Sequence, residues 1–308
     1  MHSTPTYLSS LPKLANKIHP NSKGVNKIRK NARFCLLGLV YRHSLKTIIN
    51  TFNTEALKPV LDKNPDIIEK PLKPYLCVNW SSRERAQHLC EHYQFIEQTF
   101  GLNAEKVTSY QGLTLLEFED REQAKYRVNL YCGASREGGL GLKLINEDAK
   151  EVYSLSFNIS GSDKRVLHIG MLQGPASQIA DRNEVIKTLT RSLHGLRTKA
   201  LMVELVLMLA KIWQIDEVKG VSNKGHIYQA LRYVGSKRNS VTFDYDDLWA
   251  EYNGTKTNKF LFSIPTAPER KDPSTLNKNK RRLYTKRYQW LDETELAIRQ
   301  NLAAYTHH

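Results

Sequence analysis

"ALMVELVLMLAKIWQIDEVKGV", residues 200–221, is the stretch that decides the fold. Residues 200–213 are apolar nearly all round, which is typical of a buried helix. Glu204 and Lys211 interrupt this run, and it is shorter than the roughly 20 apolar residues that a membrane span needs. The apolar residues at 215, 218 and 221 then predict a short buried strand. A buried helix that leads into a buried strand places both elements inside one core.

Five strand-like runs precede the buried helix. They are "GLTLLEFED", "KYRVNLYCG", "GLGLKLINED", "EVYSLSFNIS" and "KRVLHIGMLQG", separated by short turns that contain Gly, Asn or Asp. This spacing predicts an antiparallel meander of about four or five strands. Upstream, Ser81 stands three residues before Glu84, as in a capping box, and predicts a helix from about 82 to 99. Apolar residues that recur at three and four between 31 and 52 predict an earlier helix.

A helix that starts near Asp181 and breaks at Gly195 leads into the buried helix. After the strand at 215–221, the pattern predicts a short helix over 226–233, a strand "SVTFDY", a helical "DDLWAEYNG", a strand "NKFLFSIP" and a helix of about 276–303. This order resembles the layout of GNAT-type N-acyltransferases, in which the cofactor lies where the last meander strand parts from the strand after the buried helix. We therefore expect an α+β, GNAT-like (N-acyltransferase-like) fold: a mixed, mostly antiparallel sheet flanked by helices, with an N-terminal helical extension.

The same patterns divide the chain into four parts. Residues 1–30 are rich in Ser, Pro, Asn and Lys and predict a basic flexible arm. An N-terminal helical region (31–105), a GNAT-like α/β core (106–275) and a basic C-terminal helix (276–308) follow.

The formal net charge of +15 is concentrated at the two ends of the chain. Residues 1–54 contain nine Lys or Arg and no acid, and residues 268–290 contain eight against two acids. Such clusters attract phosphates on an anionic membrane or on nucleic acid, or they are solvated charge that keeps the protein soluble. Neither cluster resembles a known base-reading motif, so nucleic acid is the weaker expectation. We expect an anionic membrane surface or a lipid-linked substrate to contact Lys280, Arg281, Arg282, Lys286 and Arg287.

The four cysteines are scattered and form no CxxC pair, which is typical of a reduced cytoplasmic protein. The basic N-terminus lacks a hydrophobic signal core, because the apolar run in "FCLLGLVYRH" is short. We expect a cytoplasmic protein without a transmembrane segment, with peripheral contact to the inner membrane as an extension of that expectation.

"HIGMLQGP", residues 168–175, ends a strand shortly before a helix. In a GNAT-type enzyme this turn cradles a pyrophosphate with backbone N–H groups at the helix N-terminus. Gln173 and Gly174 are therefore candidate donor-binding residues. The second glycine of the usual fingerprint is missing, and an ordinary Gly-Pro turn is an equally compatible interpretation.

"SLHGLRTKALMVEL", residues 192–205, places His194 and Arg197 near a helix break and Glu204 inside an apolar helix. His194 and Arg197 either bind an anionic ligand or cap the preceding helix. A buried carboxylate is costly unless it is paired. Glu204 is thus either a general base with a raised pKa or part of a structural ion pair or hydrogen bond.

"VKGVSNKGHIYQ", residues 218–229, gathers Ser222, Asn223 and His226 where the strand after the buried helix ends. This strand end is expected to lie beside the "LQGP" end of its neighbour, and two adjacent polar strand ends favour a cleft. Ser222 and Asn223 either bind substrate there or cap the helix that follows.

His88 and His92 share one helical face at i and i+4, but no third ligand stands at a suitable spacing. We expect no metal site. Nucleophile elbows and phosphate-binding loops of the familiar types are absent from the sequence.

Five ordered segments resemble the VirK/YbjX family of Gram-negative bacterial proteins. They are "HIGMLQGP", "LHGLRTKAL", "VKGVSNKGHIY", "FDYDDLWAEYNG" and "NKNKRRLYTKRYQWLD", and they span about residues 168–292. Thr198 departs from the pattern at a position where a proline is expected. The resemblance implies a cytoplasmic or membrane-associated protein linked to envelope integrity, virulence and resistance to antimicrobial peptides, without an established reaction.

Two functions are compatible with these observations. The first is a GNAT-like acyl- or aminoacyltransferase that acts on an amine and uses acyl-CoA, acyl carrier protein or aminoacyl-tRNA as donor. There, Gln173 and Gly174 hold the donor, Arg197 binds an anionic group, and His226 or Glu204 accepts the amine proton. The alternative is a non-catalytic peripheral membrane or partner-docking protein with the same fold. A deep pocket between the two strand ends favours the enzyme, and a filled junction favours the docking protein.

Overall fold

A computed structural model describes residues 4–230 and 243–306. Within these ranges an open, mostly antiparallel sheet of eight strands is packed with helices, which confirms the expected α+β class. The first six strands lie side by side in sequence order, followed by the eighth and then the seventh.

The N-terminal third of the chain is helical. The predicted helix from 82 to 99 is confirmed as α5, since Ser81 and Glu84 form both hydrogen bonds of the capping box and Gly101, with φ +52°, ends the helix. The elements are α1 (Thr4–Ile18), α2 (Gly24–Val40), α3 (Arg42–Thr51), α4 (Lys58–Lys63), a 3₁₀ helix (Pro65–Leu72), α5 (Ser82–Phe100) and α6 (Ala104–Val107).

The structure contradicts the flexible arm that was predicted for residues 1–30. Within that range α1 is a formed helix, and α2 begins at Gly24. Leu11, Ala15 and Ile18 recur at i, i+4 and i+7 and pack in a small core that α2 and α3 also line. This helical spacing outweighs the Ser- and Pro-rich composition. The single helix predicted between 31 and 52 is instead two helices that meet at Tyr41.

The predicted meander is confirmed. Its five strands pair antiparallel with their sequence neighbours, and α5 packs against the fourth of them. They are β1 (Leu113–Glu119), β2 (Lys125–Tyr131), β3 (Leu140–Asn146), β4 (Glu151–Ser160) and β5 (Val166–Gln173).

The broken helix and the buried helix are also confirmed. They are α7 (Arg182–Ser192) and α8 (Thr198–Ile212), and Gly195 with φ +76° lies between them. α8 packs on β4 and β5, and the chain then returns as β6 (Glu217–Val221), which pairs parallel to β5.

The last part of the chain differs from the prediction at two places. The helix predicted over 226–233 is a short 3₁₀ turn, Ile227–Gln229, and residues 231–233 lie outside the described residues. Of the predicted strand "SVTFDY", residues 240–242 also lie outside them, and its last residue starts a helix. The remaining elements are α9 (Tyr245–Glu251), β7 (Thr255–Lys256), β8 (Leu261–Ile264), a 3₁₀ turn (Pro273–Thr275) and α10 (Lys278–Ala303).

Among the helices in the described ranges, none has the length and apolar character needed to cross a bilayer.

Candidate functional site

The parallel strands β5 and β6 part at the end of their shared ladder. They pair from Val166–Glu217 to Ile169–Gly220, after which β5 continues to Gln173 paired with β4 and no longer with β6. Side chains fill the gap that opens. The hydroxyl of Tyr245 accepts a hydrogen bond from the N–H of Leu172 (3.3 Å) and donates one to its carbonyl (3.4 Å).

His226 lies in the same junction and is buried. Its ring stacks on Tyr245, with centroids 5.4 Å apart and planes at 19°. Nδ1 accepts a hydrogen bond from the backbone N–H of Tyr228 (3.3 Å), and Nε2 lies 3.5 Å from Oε1 of Glu137. Burial lowers the pKa of His226 to about 4, so the imidazole is neutral at pH 7. A proton on Nε2, facing the carboxylate, fits these contacts.

Glu137 is a member of this junction that sequence reasoning missed. A Cβ on Gly170 would lie 2.0 Å from the Glu137 carbonyl oxygen, so the backbone of Glu137 presses on β5 just where the strands part. Its carboxylate is buried and faces His226. The available signal was a single acid inside the glycine-rich turn "GASREGGLG".

Ser222 and Asn223 brace the junction. The Ser222 hydroxyl donates to the carbonyl of Lys259 (2.8 Å) and accepts from the N–H of Gly225 (3.0 Å). The side-chain oxygen of Asn223 accepts from the N–H of Tyr245 (2.8 Å), and its amide donates to Asp244 (2.8 Å). They therefore hold the turn and the start of α9. The 3₁₀ turn Ile227–Gln229 is capped by His226, whereas Asn223 accepts from the first N–H of α9.

Gln173 and Gly174 end β5 beside the junction. Gln173 is exposed, and a Cβ on Gly174 would be in ordinary contact with the Tyr153 hydroxyl at 3.4 Å. Residues 175–181 separate this turn from the first residue of α7, so the helix N-terminus does not follow directly on Gly174.

Glu204 lies in a different environment, on α8. Its Oε1 is 3.5 Å from the hydroxyl of Tyr252, and a cavity of about 300 Å³ is lined by Glu204 and Arg270. Burial raises the pKa of Glu204, while Arg270 and the Tyr252 hydroxyl act in the opposite direction.

His194 and Arg197 are engaged by other parts of the chain. The guanidinium of Arg287 donates two hydrogen bonds to the His194 carbonyl (3.1 and 2.9 Å), and Arg197 pairs with Glu251 at 2.6 Å. Within the described ranges, no hydrogen bond or ion pair joins His194, Glu204 and His226 to one another. The structure therefore places Ser222, Asn223 and His226 around one junction, and no such contact joins the described His194 or Glu204 to His226.

The five cations predicted on the C-terminal helix divide into two groups. Arg281 donates to the carbonyls of Pro273, Ser274 and Leu276, and Arg287 holds His194. Lys280, Arg282 and Lys286 are exposed and form no ion pair with a described carboxylate.

His88 and His92 bind different groups. Nδ1 of His88 lies 2.9 Å from the Ser160 hydroxyl, and Nδ1 of His92 accepts from the N–H of Ile159 (3.0 Å). In the part of the chain that the structure describes, no cluster of three or more His, Cys, Asp or Glu side chains is placed to hold a metal ion.

The chain belongs to the family described as "Protein of unknown function (DUF535)", whose model matches residues 23–300. The YbjX protein of Escherichia coli K12, described as uncharacterized, is 27% identical over 267 residues, covering 84% of this chain and 79% of that protein. An uncharacterized Haemophilus influenzae protein is 26% identical, covering 96% of this chain and 97% of that protein. The resemblance to the VirK/YbjX family is thus confirmed.

A further relative carries a more specific name. The protein named "Membrane protein LapB" of Mannheimia haemolytica is 25% identical over 216 residues, covering 68% of this chain and 90% of that protein. No solved structure matches the chain.

Proposed function

We propose that this protein transfers an acyl or aminoacyl group to an amine at the cytoplasmic side of the bacterial envelope. The observation that carries the proposal is the parting of β5 and β6, which follows an antiparallel meander and a buried helix. In GNAT-type enzymes, which this layout resembles, the donor lies between the two strands that part. The likeness is one of layout, so the residues of the junction must carry the chemistry.

The donor-binding edge in this proposal is the inner edge of β5. The N–H and carbonyl of Leu172 both bond to the Tyr245 hydroxyl in the gap, at 3.3 and 3.4 Å. Hydrogen bonds of this length are weak, so an amide of a donor's carrier arm is able to replace them. Gln173 and Gly174 continue the same edge and hold the donor there. The donor is an acyl-CoA, an acyl carrier protein or an aminoacyl-tRNA.

His226 is the proton acceptor in this reaction. The amine nitrogen attacks the carbonyl carbon of the donor, a C–N bond forms, and the C–S or C–O bond to the carrier breaks. The amine proton passes to Nδ1 of His226, whose present bond to Tyr228 is long, while Glu137 stabilises the imidazolium through Nε2. The leaving group takes up a proton from the Tyr245 hydroxyl. The His226 imidazolium then gives its proton to solvent, and the Tyr245 phenolate takes one up, which returns both side chains to their neutral forms.

Glu204 and Arg197, both predicted from the sequence, contribute less to this reaction. Glu204 is the alternative base, but its carboxylate faces Tyr252 and Arg270. Arg197 binds an anionic substrate group only after that group displaces Glu251. Most of the rate enhancement then comes from positioning, as is usual for an activated donor.

The relatives support the envelope location in this proposal. The name of LapB describes a membrane protein, and the family resemblance implies a role in envelope integrity, virulence and antimicrobial peptide resistance. Acylation of an amine removes a positive charge or changes its surroundings, which is chemistry suited to modifying an envelope constituent.

The test is donor binding followed by transfer. Calorimetry with acyl-CoA, acyl carrier protein and aminoacyl-tRNA should find one donor that binds the full chain, and mass spectrometry should then find an acylated amine. His226→Gln should abolish transfer and leave the donor Kd within about twofold, and Glu204→Gln decides whether the alternative base contributes. Binding to none of the three donors would overturn the proposal.

A second function is favoured by one observation: Tyr245 and His226 fill the junction. In this version the protein is a non-catalytic docking protein, and its exposed Lys280, Arg282 and Lys286 contact an anionic surface. It predicts that His226→Ala leaves function in the cell intact. It also predicts salt-sensitive vesicle binding that neutralising those three cations removes.

A further inference from the structure

α2 presents an apolar face to solvent. The structure describes the side chains of residues 9–230 and 243–306, and six of the nine large apolar side chains exposed there lie between residues 25 and 41. Five of them, with exposed fractions from 47 to 81%, are on α2 itself: Val25, Ile28, Leu36, Leu39 and Val40. Exposed apolar side chains concentrated in this way mark an interaction surface.

These side chains lie on one side of the helix. At about 100° per residue, the five positions and the exposed Ala32 fall within a sector of roughly 120°. The opposite side is anchored, because Phe34 is buried and a Cβ on Gly38 would meet Leu11 and Leu45 at 3.0 and 3.1 Å. The protein thus holds α2 by one face and leaves the other, which we call the apolar stripe, uncovered by the described residues.

The surroundings of the apolar stripe are positive. By the same spacing Arg29 falls inside that sector and Arg33 just outside it; both side chains are exposed, and residues 1–54 contain no acid. The same flank opens into a cavity of about 560 Å³ lined by cations from α2 and by Phe34 and Leu37. Among the described residues that line it, Glu69 is the one acid, and Lys73 already pairs with it.

We infer that α2 lies in the interface of a bilayer with anionic phosphate headgroups. The apolar stripe faces the acyl chains, and the cavity beside Arg29, Lys30 and Arg33 takes a lipid phosphate. Apolar burial together with attraction to anionic lipid is the combination that holds an amphipathic helix in a membrane interface. A second copy of the chain fits less well, because it brings the same acid-free, positive surface into contact.

This surface differs from the C-terminal helix. Between residues 276 and 290, within the described part of the chain, no large apolar side chain is exposed, and Arg281 and Arg287 are bound to the chain's own carbonyls. Charge alone gives weak, salt-sensitive binding, whereas α2 supplies both signals. This membrane contact is independent of the proposed transfer reaction, because vesicle binding is measured without turnover.

The experiment is co-sedimentation of the full chain with vesicles of phosphatidylcholine alone and of phosphatidylcholine with phosphatidylglycerol. Ile28→Gln/Leu36→Gln removes two side chains of the apolar stripe, which are 70% and 62% exposed. Leu102→Gln/Leu296→Gln removes two equally exposed leucines elsewhere, at 74% and 56%. Glutamine has good helix propensity, so α2 is kept. Arg29→Gln/Arg33→Gln tests the charge.

We expect the native chain to prefer the anionic vesicles. The α2 apolar pair should weaken that binding at least tenfold, which corresponds to about 1.4 kcal/mol, and the Leu102/Leu296 pair should change it less than twofold. The arginine pair should remove the preference for anionic lipid. In a second measurement, Leu36→Trp should show a blue-shifted emission that brominated acyl chains quench.

Three results would overturn the inference. One is unchanged vesicle binding by the α2 apolar pair. Another is loss of binding only when Lys280, Arg282 and Lys286 are neutralised, which assigns the membrane to α10. The third is a native dimer in solution that Ile28→Gln/Leu36→Gln converts to a monomer, which assigns the apolar stripe to a second copy.

Discussion

His226 in the strand junction is buried and Glu204 on α8 is partly buried, and burial shifts their pKa values in opposite directions. Burial lowers the pKa of His226 and raises that of Glu204, because in both cases it disfavours the charged form. The form that burial favours in a histidine, the neutral imidazole, is the one that accepts a proton, whereas the form that it favours in a glutamate, the carboxylic acid, is not. The comparison teaches that a buried titratable group is a candidate base only if burial leaves it in the accepting form.

α9 connects these two regions. Its first residue, Tyr245, fills the strand junction, and Tyr252, just after its end, donates to the Ala200 carbonyl and approaches Glu204. Trp249 lies between them, is fully buried and donates to the carbonyl of Val221 (2.8 Å). A Cβ on Gly220 would lie 2.4 Å from its ring, so the tryptophan packs directly on β6.

The largest expected effect comes from removing that connection. Trp249→Ala should lower the free energy of unfolding by about 3–5 kcal/mol, because it deletes a large core side chain and leaves the Val221 carbonyl without its partner. Urea denaturation followed by circular dichroism measures the loss. If the two regions depend on α9, the stacking of His226 on Tyr245 and the contact of Tyr252 with Glu204 are lost together.

Trp290→Ala is the control for this change. Trp290 is half-buried on α10 and packs edge-on against Phe118, away from α9. Its loss should cost clearly less than that of Trp249. If both substitutions lower the free energy of unfolding equally, the packing of α9 between the two regions does not contribute more to stability than the packing of Trp290 does.

The low pKa of His226 makes the stability of the protein depend on pH. The pKa of His226 is about 4 in the folded protein and about 6.5 in the unfolded chain, so between those values the unfolded chain binds more protons. The stability that comes from keeping His226 neutral is therefore full above pH 6.5 and is lost as the pH falls toward 4. Its total is on the order of 3 kcal/mol.

His226→Gln isolates this contribution, because glutamine keeps an acceptor for the Tyr228 N–H and does not titrate. Its free energy of unfolding, measured by urea between pH 4 and 7.5, should depend less steeply on pH than that of the native chain. The comparison with the native chain is needed because buried His92 and His168, whose pKa values burial also lowers, lose stability in acid in the same direction. Parallel curves for the two proteins would contradict the low pKa of His226.

Sequence patterns predicted the parts of this fold that local spacing determines. The alternation in "EVYSLSFNIS", the capping box at Ser81 and the apolar run of α8 each specify one element without outside help. The residues that fill the junction have no such spacing. Glu137 and Tyr245 are distant in sequence from His226, and only the crossover through α8 places all three at one strand end. For the same reason, sequence patterns identified both His226 and Glu204 as candidate bases but could not show that the two lie in different parts of the fold.

The smallest expected effect belongs to the carboxylate side of the comparison. Because burial raises the pKa of Glu204 in the folded protein, its charge opposes folding increasingly as the pH rises through that pKa. Desolvation is the largest influence and exceeds the attraction of Arg270, so Glu204→Gln should raise the free energy of unfolding more at pH 8 than at pH 5. Glu295, which lines the same cavity but is paired with Lys211 at 2.8 Å, is the matched control. Glu295→Gln should instead lower stability slightly, since it breaks an ion pair.

Urea midpoints at pH 5 and 8 measure both effects. If Glu204→Gln stabilises the protein and Glu295→Gln destabilises it, the unfavourable contribution of Glu204 comes from the burial of its charge. A destabilising Glu204→Gln would instead make it a structural partner of Arg270 and Tyr252.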